Sequence, residues 1–118
     1  ELSSPWATYL GFWAPSLSDG GALVAYGGIK GDLEGDLMTI GVSPTCRGRG
    51  VGRALLRELL ARARSQGMGQ LFLEVRASNQ AARALYESEG FEELAAVPSY
   101  YRNPVEDAVT MGVALSPS

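Results

Sequence analysis

Histidine is absent from the 118-residue sequence, and its absence limits the chemistry that the protein can perform. Catalytic triads built on an imidazole base are excluded, as are most histidine-ligated sites of metal hydrolases. A general base must therefore be a carboxylate, a tyrosine, a lysine, a cysteine or a bound water.

Cysteine is nearly as scarce, since Cys46 is the single one in the chain. One cysteine can form neither an internal disulfide nor, by itself, a zinc site, so we expect no metal. We interpret Cys46 as a small packed residue rather than as a nucleophile. A sequence that makes no use of disulfides is typical of a reducing compartment and predicts a cytoplasmic protein.

Long apolar runs and long basic runs are also missing. No apolar segment is long enough to span a bilayer and no signal peptide is visible, so we expect no contact with a membrane. The chain begins with Glu1 rather than with methionine, which leaves room for an upstream segment. A net charge of −3, without aromatic residues alternating with basic ones, argues against direct binding of nucleic acid.

What the sequence does contain predicts one globular domain over residues 1–118. Hydrophobic residues make up 46% of the chain and charged residues 19%, as in ordinary globular proteins. Strands are predicted at 6–13, 22–29, 36–42, 71–75, 91–97 and 107–115, helices from 51 to just before Gly67 and at 80–88, and a loop at 98–104. This order indicates an α/β fold whose mixed sheet contains at least one parallel crossover.

Two segments have especially clear patterns. After Val51, leucines and alanine recur at helical spacing as one apolar stripe, while arginines occupy the other side. In the strand at 71–75, Leu71, Leu73 and Val75 lie on one face. The same alternation places Glu74 on the opposite face, together with Phe72 and Arg76.

A glycine-rich turn before the first helix is a candidate anion site, because glycines let backbone N–H groups approach an anion at a helix N-terminus. A P-loop would need a lysine followed by serine or threonine, whereas Gly52 is followed by Arg53 and Ala54. A dinucleotide fingerprint would need a glycine at position 53. The pattern Arg47-x-x-Gly50-x-Gly52 instead matches the Q/R-x-x-G-x-G/A signature with which GNAT acetyltransferases bind the pyrophosphate of CoA. From the turn alone, a flexible turn without a ligand remains an alternative.

The second half of the chain resembles the RimI-type N-terminal acetyltransferases of the GNAT superfamily. The resemblance extends from about residue 37 to Met111 and rests on blocks at 73–79 (Leu-Glu-Val-Arg-Ala-Ser-Asn), 81–82, 84–88 (Ala-Leu-Tyr-Glu-Ser), 90–91, 100–101 (Tyr-Tyr) and 106–108. It implies the GNAT fold, in which a mixed central sheet is flanked by helices. Members of the family begin with a strand and one or two helices, so the resemblance implies that this N-terminal part is missing or truncated here.

The resemblance also implies acetyl-CoA as the co-substrate and assigns residues to it. Backbone groups of Ile40, Gly41 and Val42 would pair with the pantetheine arm as an added strand does, and Asn79 would contact the same arm. The pyrophosphate would lie on the glycine-rich turn, formed by Arg47, Gly48, Arg49, Gly50, Val51, Gly52 and Arg53.

For catalysis, the resemblance implies Glu74 as the general base and Tyr86 as the general acid. The alternatives are a surface glutamate paired with Arg76 and an aromatic ring that packs under Phe91. Tyr100 and Tyr101 would help to bind a substrate peptide, the alternative being an aromatic loop that packs rigidly on the sheet.

The predicted reaction moves the acetyl group to the N-terminal α-amine of a protein, as RimI-type enzymes do with the alanine of small-subunit ribosomal protein number eighteen. An α-amine has a pKa of about 7.7–8.0 against about 10.4 for lysine, so a mild carboxylate base suits it better. The alternatives are a GNAT enzyme that acetylates a small-molecule amine and a CoA-binding module without catalysis. The sequence does not predict an oligomeric state.

Overall fold

The structure is a computed structural model that describes residues 7–14, 22–42 and 50–115. Six strands and two helices lie in these ranges: β1 (Ala7–Ala14), β2 (Ala22–Gly31), β3 (Glu34–Val42), α1 (Val51–Ser65), β4 (Gln70–Arg76), α2 (Gln80–Ser88), β5 (Glu92–Tyr101) and β6 (Glu106–Ala114). None of the helices in the described ranges has the length and apolar character that crossing a membrane requires.

The strands form a single sheet in the order β1-β2-β3-β4-β6-β5. Neighbouring strands are antiparallel except β3 and β4, which are parallel and are connected through α1. The predicted mixed sheet with a parallel crossover is therefore confirmed.

Helix α1 packs on the sheet through the apolar stripe that its sequence predicts. Its buried residues are Leu55, Leu56, Leu59, Leu60 and Ala63. They share one core cluster with alternate residues of β4, namely Leu71, Leu73 and Val75, and with Tyr86 and Phe91 at the second helix. The helix ends before Gly67, whose φ of 87° is a left-handed conformation that glycine adopts without strain.

Helix α2 has both of its predicted end signals. The side-chain oxygen of Asn79 accepts a hydrogen bond from the backbone N–H of Ala82 at 3.1 Å and so caps the first turn. At the other end, Gly90 takes a φ of 101° and turns the chain into β5.

The predicted loop at 98–104 is wrong in its first half, because β5 continues to Tyr101. Proline is excluded from central strands because it lacks an N–H, but Pro98 lies on the strand at the edge of the sheet, where the missing donor is tolerated. The ladder with β6 is irregular between Val97 and Tyr101, and Ser99 has a φ of 54°. The strand accommodates proline through this irregularity.

Strand β3 contains a bulge opposite β2 and pairs with β4 over a short stretch. Leu37 and Thr39 oppose consecutive residues of β2, so Met38 is an extra residue in the ladder. Pairing between β3 and β4 covers Glu34–Gln70, Gly35–Leu71 and Asp36–Phe72. Beyond these pairs β3 continues along β2, and β4 continues along β6. The two parallel strands therefore separate in the middle of the sheet.

Candidate active site

A pocket of about 280 Å³ lies where β3 and β4 separate. Its lining residues come from these two strands, from the N-cap and last turn of α2 and from the end of β5: Leu37, Met38, Ile40, Leu73, Glu74, Val75, Arg76, Asn79, Tyr86 and Tyr101. Apolar side chains of β3 and β4 form much of the wall, while the polar groups come from β4, α2 and β5.

The topology explains why a ligand site belongs here. Parallel strands end at the same edge of a sheet, and the helix that follows the first strand begins at that edge. The pocket lies toward the carboxyl ends of β3 and β4, and α1 starts on the same side. A ligand in the pocket can therefore extend toward the N-terminus of α1.

Glu74 reaches the pocket because of strand alternation. Its neighbours Leu73 and Val75 are buried, and the carboxylate of Glu74 lies on the exposed face. The alternative to a general base at Glu74 is a surface glutamate that pairs with Arg76. Among the described residues Arg76 instead forms an ion pair with Glu106, with 3.4 Å between Nη1 and Oε1.

Tyr86 lies in the core and also lines the pocket. It is 8% exposed and its ring lies 5.5 Å from that of Phe91, so it is part of the core. It also lines the pocket together with apolar residues of β3. Burial raises the pKa of the Tyr86 phenol, and the nearby Tyr101 raises it further. Tyr86 therefore presents a protonated hydroxyl group at neutral pH.

The two adjacent tyrosines at the end of β5 have different positions. Tyr101 lines the pocket, and burial followed by the effect of Tyr100 raises the pKa of its phenol. Tyr100 is half exposed and its ring meets the Tyr101 ring edge-on, with 5.0 Å between centroids and an angle of 84°. Tyr101 is thus a pocket residue, and Tyr100 supports it from outside.

The residues predicted to bind the pantetheine arm lie along β3 and at the cap of α2. Ile40 and Asn79 line the pocket. Gly41 lies under the ring of Tyr26, where an added Cβ atom would come within 2.5 Å of that ring, and the backbone of Val42 ends the strand. The backbone edge of β3 that faces away from β2 is therefore the edge beside the pocket.

The start of α1 retains the features of an anion site. Gly50 has a φ of 77° and offers no side chain, and among the described residues no side chain caps the first turn. The first N–H groups of an α-helix have no partner within the helix, and at such a position they can bind an anion. The Arg53 side chain points to α2, where it donates to Ser88 at 2.9 Å and pairs with Glu89 at 3.2 Å. The remaining residues predicted for this turn, Arg47, Gly48 and Arg49, lie outside the described residues.

Five pocket residues were not predicted as site residues: Leu37, Met38, Leu73, Val75 and Arg76. Apolar walls carry no distinctive sequence signal, because the same residues also fit a core. Arg76 could have been found, since strand alternation places it on the same face as Glu74.

Comparison with known proteins gives consistent results. The model of the acetyltransferase (GNAT) family matches residues 3–91. The N-alpha-acetyltransferase RimI of Mycobacterium tuberculosis is 46% identical over 116 residues, which cover 94% of this chain and 68% of the relative. The ribosomal protein bS18-alanine N-acetyltransferase of Escherichia coli is 45% identical over 85 residues, which cover 70% of this chain and 57% of the relative.

A solved structure agrees with the sequence matches. The crystal structure of the ribosomal-protein-S18-alanine N-acetyltransferase from Escherichia coli superposes with a TM-score of 0.77 at 38% identity, covering 93% of this chain and 71% of that one. The chain thus spans between about half and two thirds of the length of the two curated relatives.

Proposed function

The chain belongs to the acetyltransferase (GNAT) family, and from this premise we propose that it transfers the acetyl group of acetyl-CoA to the N-terminal α-amine of a protein. The observation that carries the proposal is the meeting of Glu74 and Tyr86 in the pocket between β3 and β4. The relatives named for the alanine of ribosomal protein bS18 support an alanine-starting ribosomal protein as the substrate. The proposal places the reaction in the cytoplasm, where ribosomal proteins are made.

Acetyl-CoA fits the shape and chemistry of the site. A pocket of about 280 Å³ can hold the acetyl group and part of the pantetheine arm, while the nucleotide lies outside it. The arm would pair with the free backbone edge of β3 at Ile40, Gly41 and Val42, as an added strand does. The pyrophosphate would bind at the N-terminus of α1, where Gly50 leaves the first-turn N–H groups accessible.

The side chains of the pocket supply the proton transfers. An α-amine with a pKa of about 7.7–8.0 is roughly one-tenth neutral at pH 7, so a mild base is sufficient to complete its deprotonation. Glu74 is the carboxylate that can take this proton, directly or through a water. The protonated Tyr86 hydroxyl can donate to the sulfur of CoA as that group leaves. A backbone N–H of β3 can stabilise the oxyanion that develops on the acetyl carbonyl.

The test is release of free CoA, followed with a thiol reagent, from acetyl-CoA and a short peptide that begins with alanine. Glu74→Gln keeps the size of the side chain and removes the base, so kcat should fall by about 10²-fold or more. Glu92→Gln is the matched control, because Glu92 is an exposed strand glutamate outside the pocket lining. A peptide with a blocked α-amine should release no CoA.

Two outcomes would replace the proposal. Turnover of free small amines without turnover of the peptide would indicate a small-molecule acetyltransferase. Binding of CoA without consumption of acetyl-CoA, whatever the amine, would indicate a binding module.

A further inference from the structure

Arg76 is the charged pocket residue to which the proposed chemistry gives no role. Its guanidinium carbon lies 4.3 Å above the centroid of the Tyr101 ring. Its Nη1 atom also faces the backbone oxygen of Pro104 and the carboxylate of Glu106, both at 3.4 Å. One guanidinium thus contacts the end of β5, the following turn and the start of β6.

Glu106 contacts both Arg76 and the turn before α2. Its Oε2 atom accepts a hydrogen bond from the backbone N–H of Ser78 at 2.6 Å, while Oε1 faces Arg76. Glu106 is also the cross-strand partner of Tyr101 in the ladder between β5 and β6. The carboxylate therefore connects the turn that enters α2 with the strand end that carries Tyr101.

The guanidinium group suits this position better than an ammonium group would. It is planar, so it can stack on an aromatic face while its N–H groups donate in their own plane to a carboxylate and a carbonyl. Arg76 makes both kinds of contact. The Tyr101 ring therefore contacts both the guanidinium of Arg76 and the edge-on ring of Tyr100.

We propose that Arg76 and Glu106 are a positioning pair that fixes the Tyr101 ring at the pocket wall, where it meets the incoming substrate peptide. The identity of the substrate in this inference rests on the proposed function. Arg76 acts through Tyr101, whereas the acetyl-CoA arm is assigned to β3 and to the amide of Asn79, and the pyrophosphate to the start of α1. Loss of the pair should therefore weaken binding of the peptide and leave binding of acetyl-CoA unchanged.

The experiment compares Arg76→Gln and Glu106→Gln with the wild-type protein by measuring KM for an alanine-starting peptide and for acetyl-CoA. The peptide KM should rise by about fivefold in Arg76→Gln, the size expected when a stacked cation is lost. It should rise less in Glu106→Gln, which keeps the cation but removes its ion-pair partner, and the acetyl-CoA KM should stay constant in both variants. Arg76→Lys should recover part of the loss, because it retains the charge and the ion pair but not the planar stack.

A double-mutant cycle separates positioning from general damage. If Arg76 acts through the ring, Arg76→Gln has no further effect on the peptide KM in a Tyr101→Leu background. Arg62→Gln is the matched control, since it removes an exposed arginine whose ion pair with Glu58 lies within α1. Thermal unfolding of every variant reports whether the fold is retained.

A second readout does not depend on the substrate. In protein labelled on the tyrosine rings, the NMR signal of Tyr101, identified by its loss in Tyr101→Leu, should shift in Arg76→Gln and stay in place in Arg62→Gln. An unshifted signal, an unchanged peptide KM or additive effects in the cycle would each overturn the inference. If the wild-type protein does not acetylate the peptide at all, the proposed function fails, and the ring signal alone decides whether Arg76 positions Tyr101.

Discussion

At the scale of single residues, the burial of Tyr86 determines what its hydroxyl group can do. Burial raises its pKa above the ordinary value for tyrosine, which is about 10, whereas a thiol titrates at about 8.5. Complete transfer of the Tyr86 proton to a leaving thiolate is therefore uphill. Hydrogen-bond donation to the developing negative charge on sulfur is then the larger part of its contribution.

The variant Tyr86→Phe tests this role. It removes the hydroxyl group but keeps the ring that packs against Phe91. We expect kcat for CoA release to fall by about 10²-fold, while the melting temperature and the KM for acetyl-CoA stay near those of the wild type. A fall in activity that accompanies an equal loss of folded protein would mean that the ring's packing, rather than the hydroxyl, was affected.

The pH dependence of the reaction follows from the Tyr86 phenol and from the α-amine of the substrate. Below the amine pKa of about 7.7–8.0, each unit of pH lowers the neutral fraction about tenfold, so kcat/KM for a peptide should rise with pH and then level off. Because the pKa values of Tyr86 and Tyr101 are both raised, neither phenol should cause a decline below about pH 10. Steady-state rates across this range provide the measurement, and a decline near pH 8.5 would contradict the assignment.

At the scale of an element, Asn79 caps helix α2 and also lines the pocket, where the proposed function gives its amide group a contact with the acetyl-CoA arm. Its side-chain oxygen caps the helix, which leaves its amide N–H₂ group to face a ligand. Asn79→Ala removes both functions, and loss of a cap costs about 1 kcal/mol, or roughly 4 °C in melting temperature.

Asn79→Asp is the matched variant, because it keeps the acceptor oxygen and removes the donor. Its melting temperature should equal that of the wild type, whereas its KM for acetyl-CoA should rise as in Asn79→Ala. Thermal unfolding and CoA-release kinetics measure the two effects separately. A normal acetyl-CoA KM in Asn79→Asp would show that the amide group does not contact the arm.

Most elements could be predicted from the sequence because their patterns are local. Helix α1 repeats its apolar residues at helical spacing, and α2 is bounded by the capping Asn79 and by Gly90. In β4, buried apolar residues alternate with more exposed ones. The end of β5 could not be predicted, because Pro98 indicates a break unless the strand is known to lie at the edge of the sheet. The bulge at Met38 depends on pairing with β2 and has no local signal either.

The candidate site was predictable only in part, for a related reason. The family resemblance, which the family match confirms, singled out Glu74, Asn79, Tyr86 and Tyr101 separately, and the fold brings them into one pocket. Their roles remain predictions. Which partner a charged residue chooses cannot be deduced from spacing, since the partner comes from a distant part of the chain. Arg53 pairs with Glu89 across 36 positions of sequence in this way.

At the scale of the whole molecule, Glu89 joins the start of α1 to the end of α2. Its carboxylate pairs with Arg53 at 3.2 Å and with Arg57 at 3.0 Å. The hydrogen bond and charge of Glu89 raise the pKa of Arg57, as an attractive contact must. These pairs connect two helices that otherwise meet through the core below them.

Glu89→Gln should therefore lower the melting temperature at low salt, because both arginines lose their partner. The difference from the wild type should shrink as salt is added, since both arginines are exposed and solvent ions screen them. Glu58→Gln, which breaks a pair confined to α1, is the control and should have a smaller effect. Thermal unfolding at several ionic strengths checks this, and a difference that salt does not change would contradict it.

The separation of β3 from β4 also has a mechanical consequence. Three residue pairs join the two halves of the sheet, whereas seven join β4 to β6. Under tension, we expect the sheet to separate first between β3 and β4, where the pairing is shortest. A ligand arm that pairs with β3 would add hydrogen bonds along this weakly paired edge and so reinforce it. Loading the enzyme with its co-substrate would then change its stiffness, and the loaded molecule should withstand a pulling force that parts the empty one.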